Sequence, residues 1–207
     1  MDSTGTFFPT ALFISAALAL LPGSAAASGV GGAIFVKGGA MRLQDSGQAI
    51  ETPAFIPVNV NFDDGSNKTT GIGWEIRLRK GWAVGTEYLH YENRFTQTSL
   101  PSARGIAKTD AFMVSAKKYF FDSGSLHPYI GGGFGIGFSD ISNNRSGGQI
   151  NDYIGHFLLH AMFGIELRVD HLSILLEAKT LYLDDQSSHA TYNPNASGVL
   201  LGVGFNW

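Results

Sequence analysis

The sequence predicts an all-β chain, an eight-stranded antiparallel up-and-down transmembrane β-barrel, on three observations. Apolar residues recur at every second position in eight stretches. The connections between those stretches alternate between short and long. Each stretch sets bulky apolar groups on one face and glycine or charge on the other. Period two is the signature of a strand with two different faces. The cleanest case is Ile72, Trp74, Ile76 and Leu78 against Gly71, Gly73, Glu75, Arg77 and Arg79. A helix would scatter both sets around its circumference.

Composition bounds the class. Charged residues are 15% of 207, below the roughly 25% usual in soluble domains. Glycine is abundant, at 27 residues, and 44% of the chain is hydrophobic. Such a chain can bury its surface and is not disordered. With no cysteine, disulfide frameworks, thiolate metal sites and cysteine nucleophiles are excluded. A net charge of −3 gives no basic excess for nucleic acid.

The N-terminus reads as an export signal, residues 1–27. Ala11 to Leu21 is an apolar run. Leu21-Pro22-Gly23 breaks it, and Ala25-Ala26-Ala27 offers small residues for cleavage before Ser28. The n-region departs from the usual pattern, carrying Asp2 and no Lys or Arg. The run is too short for a membrane helix, which needs about 20 residues. The barrel domain is then 28–207.

The eight candidate strands are 31–44, 69–80, 82–96, 107–121, 126–141, 153–169, 172–185 and 196–207. Their lengths meet or exceed the about 9–11 residues that cross a bilayer at a tilt. Lys80-Gly81, Asp122 to Ser125 and Asp170-His171 are tight turns of turn-forming residues. Between them lie the long segments 45–68, 97–106, 142–152 and 186–195. Four long loops at one end, with short turns and both termini at the other, describe a membrane barrel. In the sixth strand Tyr153, Phe157, Leu159, Phe163, Ile165, Leu167 and Val169 oppose His156, His160, Glu166 and Arg168. A soluble barrel would turn its bulky face inward. A single membrane barrel turns it to lipid and keeps small or paired groups in a narrow lumen. Aromatics near strand ends, Trp82, Tyr119, Phe120, Phe121, Tyr182, Phe205 and Trp207, suit interfacial girdles.

Two local pieces carry a family resemblance. One is Lys118-Tyr119-Phe120-Phe121, a turn, and then His127-Pro128-Tyr129-Ile130-Gly131-Gly132-Gly133-Phe134-Gly135. The other is the C-terminal alternation of Val199, Leu201, Val203, Phe205 and Trp207. Together they resemble the small eight-stranded outer-membrane barrels of Gram-negative bacteria, of the outer membrane protein A and opacity-protein type. The resemblance covers the whole of 28–207. It implies residence in the bacterial outer membrane after export through the periplasm. It further implies an assembly signal at Val203, Phe205 and Trp207, read by the outer-membrane insertion machinery. The partners it implies are that machinery, periplasmic chaperones, and outer-membrane lipid with lipopolysaccharide, around a monomer.

The lumen charges expected from alternation are Lys37, Arg77, Arg79, Arg168 and Lys179 against Glu75, Glu87, Glu166 and Glu177. Near balance implies mutual pairing, because an unpaired charge in a confined space is costly. His156 and His160 would be about 13 Å apart on a strand, too far to share a metal. Gly131 to Gly137 lacks the Lys-Ser/Thr of a phosphate loop and reads as room for a bulky neighbour. Asp184, Asp185, Ser187, Ser188 and His189 offer hydrolase residue types. Some barrels of this kind are lipid A deacylases with His-x-Ser in a late strand, but Leu181-Tyr182-Leu183-Asp184 lacks it. Ile56, Val58, Val60 and Phe62 alternate within the first long loop and predict a hairpin above the membrane. Asn67-Lys68-Thr69 and Asn195-Ala196-Ser197 match glycosylation acceptors by chance.

These readings give a non-enzymatic barrel without cofactor, metal or catalytic residue, structural or surface-interacting through its loops. The alternatives are a narrow porin-like channel for small apolar or weakly polar molecules and, less favoured, a lipid A-modifying hydrolase.

Overall fold

A computed structural model describes residues 31–43, 47–51, 56–62, 67–97, 100–121, 124–143, 151–183 and 195–207. The export segment 1–27 lies outside the described residues. Among the described residues ten strands form: β1 (Gly31–Leu43), β2 (Gly47–Glu51), β3 (Ile56–Phe62), β4 (Lys68–Arg77), β5 (Trp82–Gln97), β6 (Leu100–Tyr119), β7 (Leu126–Asn143), β8 (Asn151–Val169), β9 (Leu172–Leu183) and β10 (Ala196–Asn206). All except β2 and β3 close into one antiparallel ring. Closure is made by β1 on β10, from Ala33 opposite Asn206 to Leu43 opposite Ala196. The ring satisfies the backbone of every strand without leaving a sheet edge, which a strand in hydrocarbon requires.

The first long connection contains the hairpin expected from its alternation, β2 paired with β3. Its β3 strand continues the ladder on β5, with Phe62 opposite Phe95, above the point where β4 ends at Lys68 opposite Glu92. It therefore stands outside the eight-membered ring.

Two boundaries differ from the sequence reading. The second membrane strand stops at Arg77, not at 80. Arg79–Gly81 is a single 3-10 turn, in which Lys80 takes a left-handed φ of 62°, and the alternation ends before it. The segment 97–106 is not a long loop. β5 and β6 run up to a tight connection, with Gln97 opposite Leu100 and a bulge at Thr96/Gln97. A bulge admits Pro101, which cannot donate to a ladder.

The ring is uneven in height. β5, β6, β7 and β8 have 16, 20, 18 and 19 residues. β1, β4, β9 and β10 have 13, 10, 12 and 11. All eight begin level with the three short turns and the two barrel termini.

The outward face is apolar. Val36, Phe134, Phe163, Ile174, Leu201 and Val203 are each more than half exposed. In water such a surface would be an aggregation hazard; around a closed eight-stranded barrel it is the lipid-facing band. Its upper border on the tall side is marked by Tyr88 tilted against Phe112, with ring centroids 4.9 Å apart. Above them the outward face turns polar. Tyr88 donates to Asp110 at 2.5 Å, His90 lies 2.8 Å from Asp110, and Lys108 lies 3.7 Å from Glu92.

Glycines set how closely the interior packs. A Cβ on Gly164 would sit 2.6 Å from the Tyr129 hydroxyl, so a ring occupies that space. At Gly133 and Gly135 the obstruction is instead the β6 backbone, the carbonyls of Val114 and Phe112. The glycine run on β7 thus serves two ends: close approach of the β6 backbone at Gly133 and Gly135, and room for a bulky neighbour at Gly137, where a Cβ would lie 3.0 Å from the Leu183 side chain.

Candidate functional site

The inward faces fill the lumen in two layers of opposite character. The layer toward the long-loop end is mainly apolar, with the buried uncharged side chains of Asn93, Thr109 and Ser139 among it. Met41, Leu43, Leu89, Tyr91, Leu158, Leu181 and Leu200 are all buried in one cluster, joined by small side chains such as Ala107 and Ala111. The layer toward the short-turn end is ionic. Sequence alternation did not show the apolar layer, because the strands there are apolar on both faces.

The ionic layer is two linked clusters. In the first, Lys37 Nζ donates to Glu87 at 3.0 Å and to Glu177 at 3.0 Å, and Lys179 Nζ donates to Glu87 at 2.6 Å. Lys179 also lies 3.2 Å from Glu177, which accepts from the Tyr129 hydroxyl at 2.7 Å. Two lysines face two glutamates, so this cluster is neutral. In the second, Glu75 accepts from Lys117 at 3.0 Å, from the Tyr119 hydroxyl at 2.9 Å and from Arg77 Nε at 2.9 Å. Glu166 accepts from Arg77 Nη2 at 2.7 Å and from Arg168 Nη2 at 2.8 Å. Three cations face two carboxylates here. Strand alternation produces this convergence: each member sits at an inward position, and six strands (β1, β4, β5, β6, β8 and β9) contribute one or two.

The structure places eight of the nine expected lumen charges in this layer. Arg79 is the exception and is exposed, since it lies on the 3-10 turn beyond the end of β4. Its place is taken by Lys117, which the sequence reading missed. Lys117 and Lys118 are neighbours with no apolar contrast between them, so the pair hides which one points inward. Lys117 is buried, with Nζ 5.0 Å from the centre of the Tyr129 ring. Tyr119 is likewise no girdle residue; it is buried on Glu75. Trp82, Phe120, Phe121, Tyr182 and Phe205 are exposed on the exterior.

His156 and His160 both face inward on β8 and are buried. Among the described residues no group of three side chains could hold a metal ion. Asp184, Asp185, Ser187, Ser188 and His189 lie outside the described residues. Val203 and Phe205 face outward, and Trp207 packs over Gly32, where a Cβ would lie 2.5 Å from the indole. The backbones of Gly32 and Trp207 exchange two hydrogen bonds of 3.1 Å, which tie the last residue to the first strand.

Fold and interior together define a transmembrane β-barrel of the eight-stranded outer-membrane type. Among solved structures the chain is similar to the outer membrane protein OprG from Pseudomonas aeruginosa, at TM-score 0.58 and 12% identity, over 86% of this chain and 96% of that one. It is also similar to Neisserial surface protein A, at TM-score 0.52 and 12% identity over 86% and 97%. The N-terminal β-barrel domain of Pseudomonas aeruginosa OprF matches at TM-score 0.50 and 14% identity over 85% and 97%. At these identities the likeness is one of fold. No family model matches the sequence. No curated protein matches it either.

Proposed function

We propose that the chain is a closed, non-enzymatic barrel of the bacterial outer membrane, whose role is structural or surface-interacting and is carried by its long-loop end. One observation carries this reading: among the described residues the lumen is filled, by an apolar layer stacked on an ion-paired one. An ion crossing it would have to shed water among Leu89, Leu158 and Leu200 and then displace a paired lysine or glutamate. Eight strands leave an interior that side chains can fill. Uptake of small apolar molecules would require the apolar layer to open.

In planar bilayers the purified barrel is expected to show no steady single-channel current. Reproducible steps of one amplitude in the unmodified protein would overturn the closed reading in favour of transport. Lipid and lipopolysaccharide are the partners of the exterior, and the barrel is monomeric.

The C-terminal strand is the proposed assembly signal, with Val203, Phe205 and Trp207 as its elements. Deleting Trp207 is expected to lower the assembled, heat-modifiable barrel in cells and leave precursor in the periplasm. The same variant refolded in detergent should lose only about 1–3 kcal/mol, the scale of one partly buried aromatic. Normal assembly of the deletion variant in cells would leave Trp207 as an interfacial anchor alone.

A further inference from the structure

We propose that the periplasmic mouth of the barrel holds a phosphate group, on Arg168, Arg77 and Lys80. The phosphate belongs either to a phospholipid of the inner leaflet or to a soluble periplasmic phosphate. A cavity of about 230 Å³ opens there, between the end of the ionic layer and the Arg79–Gly81 turn. Against roughly 30 Å³ for one water, it has room for such a group.

Charge balance points to the same place. The Lys37–Glu87–Glu177–Lys179 cluster is neutral. The cluster below it has Arg77, Lys117 and Arg168 against Glu75 and Glu166. Lys117 is deep and bonded to Glu75, which Arg77 also reaches, so the surplus charge falls at the mouth, where the two guanidinium groups share Glu166. Lys80 adds a further positive charge from the turn. No acidic side chain lines the cavity among the described residues.

The hydrogen-bond count is also incomplete. Arg168 gives Nη2 to Glu166, but its Nε–H is buried without an acceptor. Its guanidinium lies 4.6 Å from the centre of the Tyr119 ring, which fixes its plane at the cavity wall. An unmet donor beside a basic opening of this size favours an oxyanion. Cations supplied from two strands and a turn surround a tetrahedral group better than a planar one, which a single guanidinium can satisfy.

The test is nuclear magnetic resonance on the full barrel in maltoside micelles, following the arginine Nε–H signals and the Trp82 indole. Sodium phosphate is titrated against sodium chloride at equal ionic strength, and against acetate. Phosphate should shift the Arg168 Nε–H signal along a saturating curve that chloride does not reproduce. Lys80→Gly, which the left-handed backbone at that position accepts, should weaken binding about three- to fivefold. Arg168→Lys should weaken it about tenfold. Lys80 lies outside the ion-paired layer, so its variant decides the matter if Arg168→Lys does not fold. In nanodiscs of phosphatidylglycerol, a lipid source would leave the Arg168 signal already at its bound position and unmoved by added phosphate. A soluble source would give the same titration as in micelles. A response that chloride matches, binding unchanged in Lys80→Gly, or tighter binding of acetate than of phosphate would overturn the proposal.

Discussion

Replacing Glu177 by Ala is expected to destabilise the barrel by about 3–5 kcal/mol, the cost of breaking a buried ion pair from one side. Glu177 neutralises half of a cluster of two lysines and two glutamates, and accepts from the Tyr129 hydroxyl. Its removal leaves Lys37 and Lys179 sharing Glu87 alone. Urea unfolding of refolded protein in micelles reads the loss. Removing Glu177 and Lys179 together leaves Lys37 on Glu87, one charge each, and should cost less than Glu177→Ala alone. That non-additivity separates an ion-paired interior from a merely packed one. A double variant as damaged as the sum of the two singles would mean that the charges act independently.

The second large effect lies on the outside. Phe163 is 65% exposed, midway along the outward run of β8 from Phe157 to Val169. Phe163→Arg should cost about 2–4 kcal/mol, the penalty for a cation near the bilayer midplane. Val169→Arg, at the turn end of the same face, should cost no more than about 1 kcal/mol, because its head reaches the interface. Equal costs at the two positions, measured by unfolding from lipid vesicles, would mean that this face does not meet hydrocarbon.

Residue contrast decides what could be read in advance. Where one face is bulky and the other is glycine or charge, as at Ile72 to Arg77 or Phe157 to Arg168, alternation gives the strand, its phase and its inward groups together. Where contrast fails, phase is lost. Ala116 to Tyr119 places two lysines and an aromatic side by side, so the pattern does not show that Lys117 and Tyr119 face the lumen. Leu181 and Leu183 look no different from the outward Leu176, so the apolar layer was invisible. Arg79 continues the alternation on paper, but the strand has already ended at Arg77, a backbone event that side-chain pattern does not record. The polar stretch before Ile106 reads as loop by composition, while its partner strand recruits it into a ladder.

The unequal wall has a consequence for how the protein meets its surroundings. Over the described residues, strands of 10–13 residues are matched to a bilayer crossing. Those of 16–20 overshoot by about seven residues, roughly 15–18 Å once tilt is allowed for. Their emergence is marked by the outward ladder of His90, Asp110, Glu92 and Lys108. Among the described residues, what stands clear of the membrane is therefore a half-cylinder, a parapet on a round tower, with the β2–β3 hairpin paired onto β5 at one end. The barrel thereby has a front and a back.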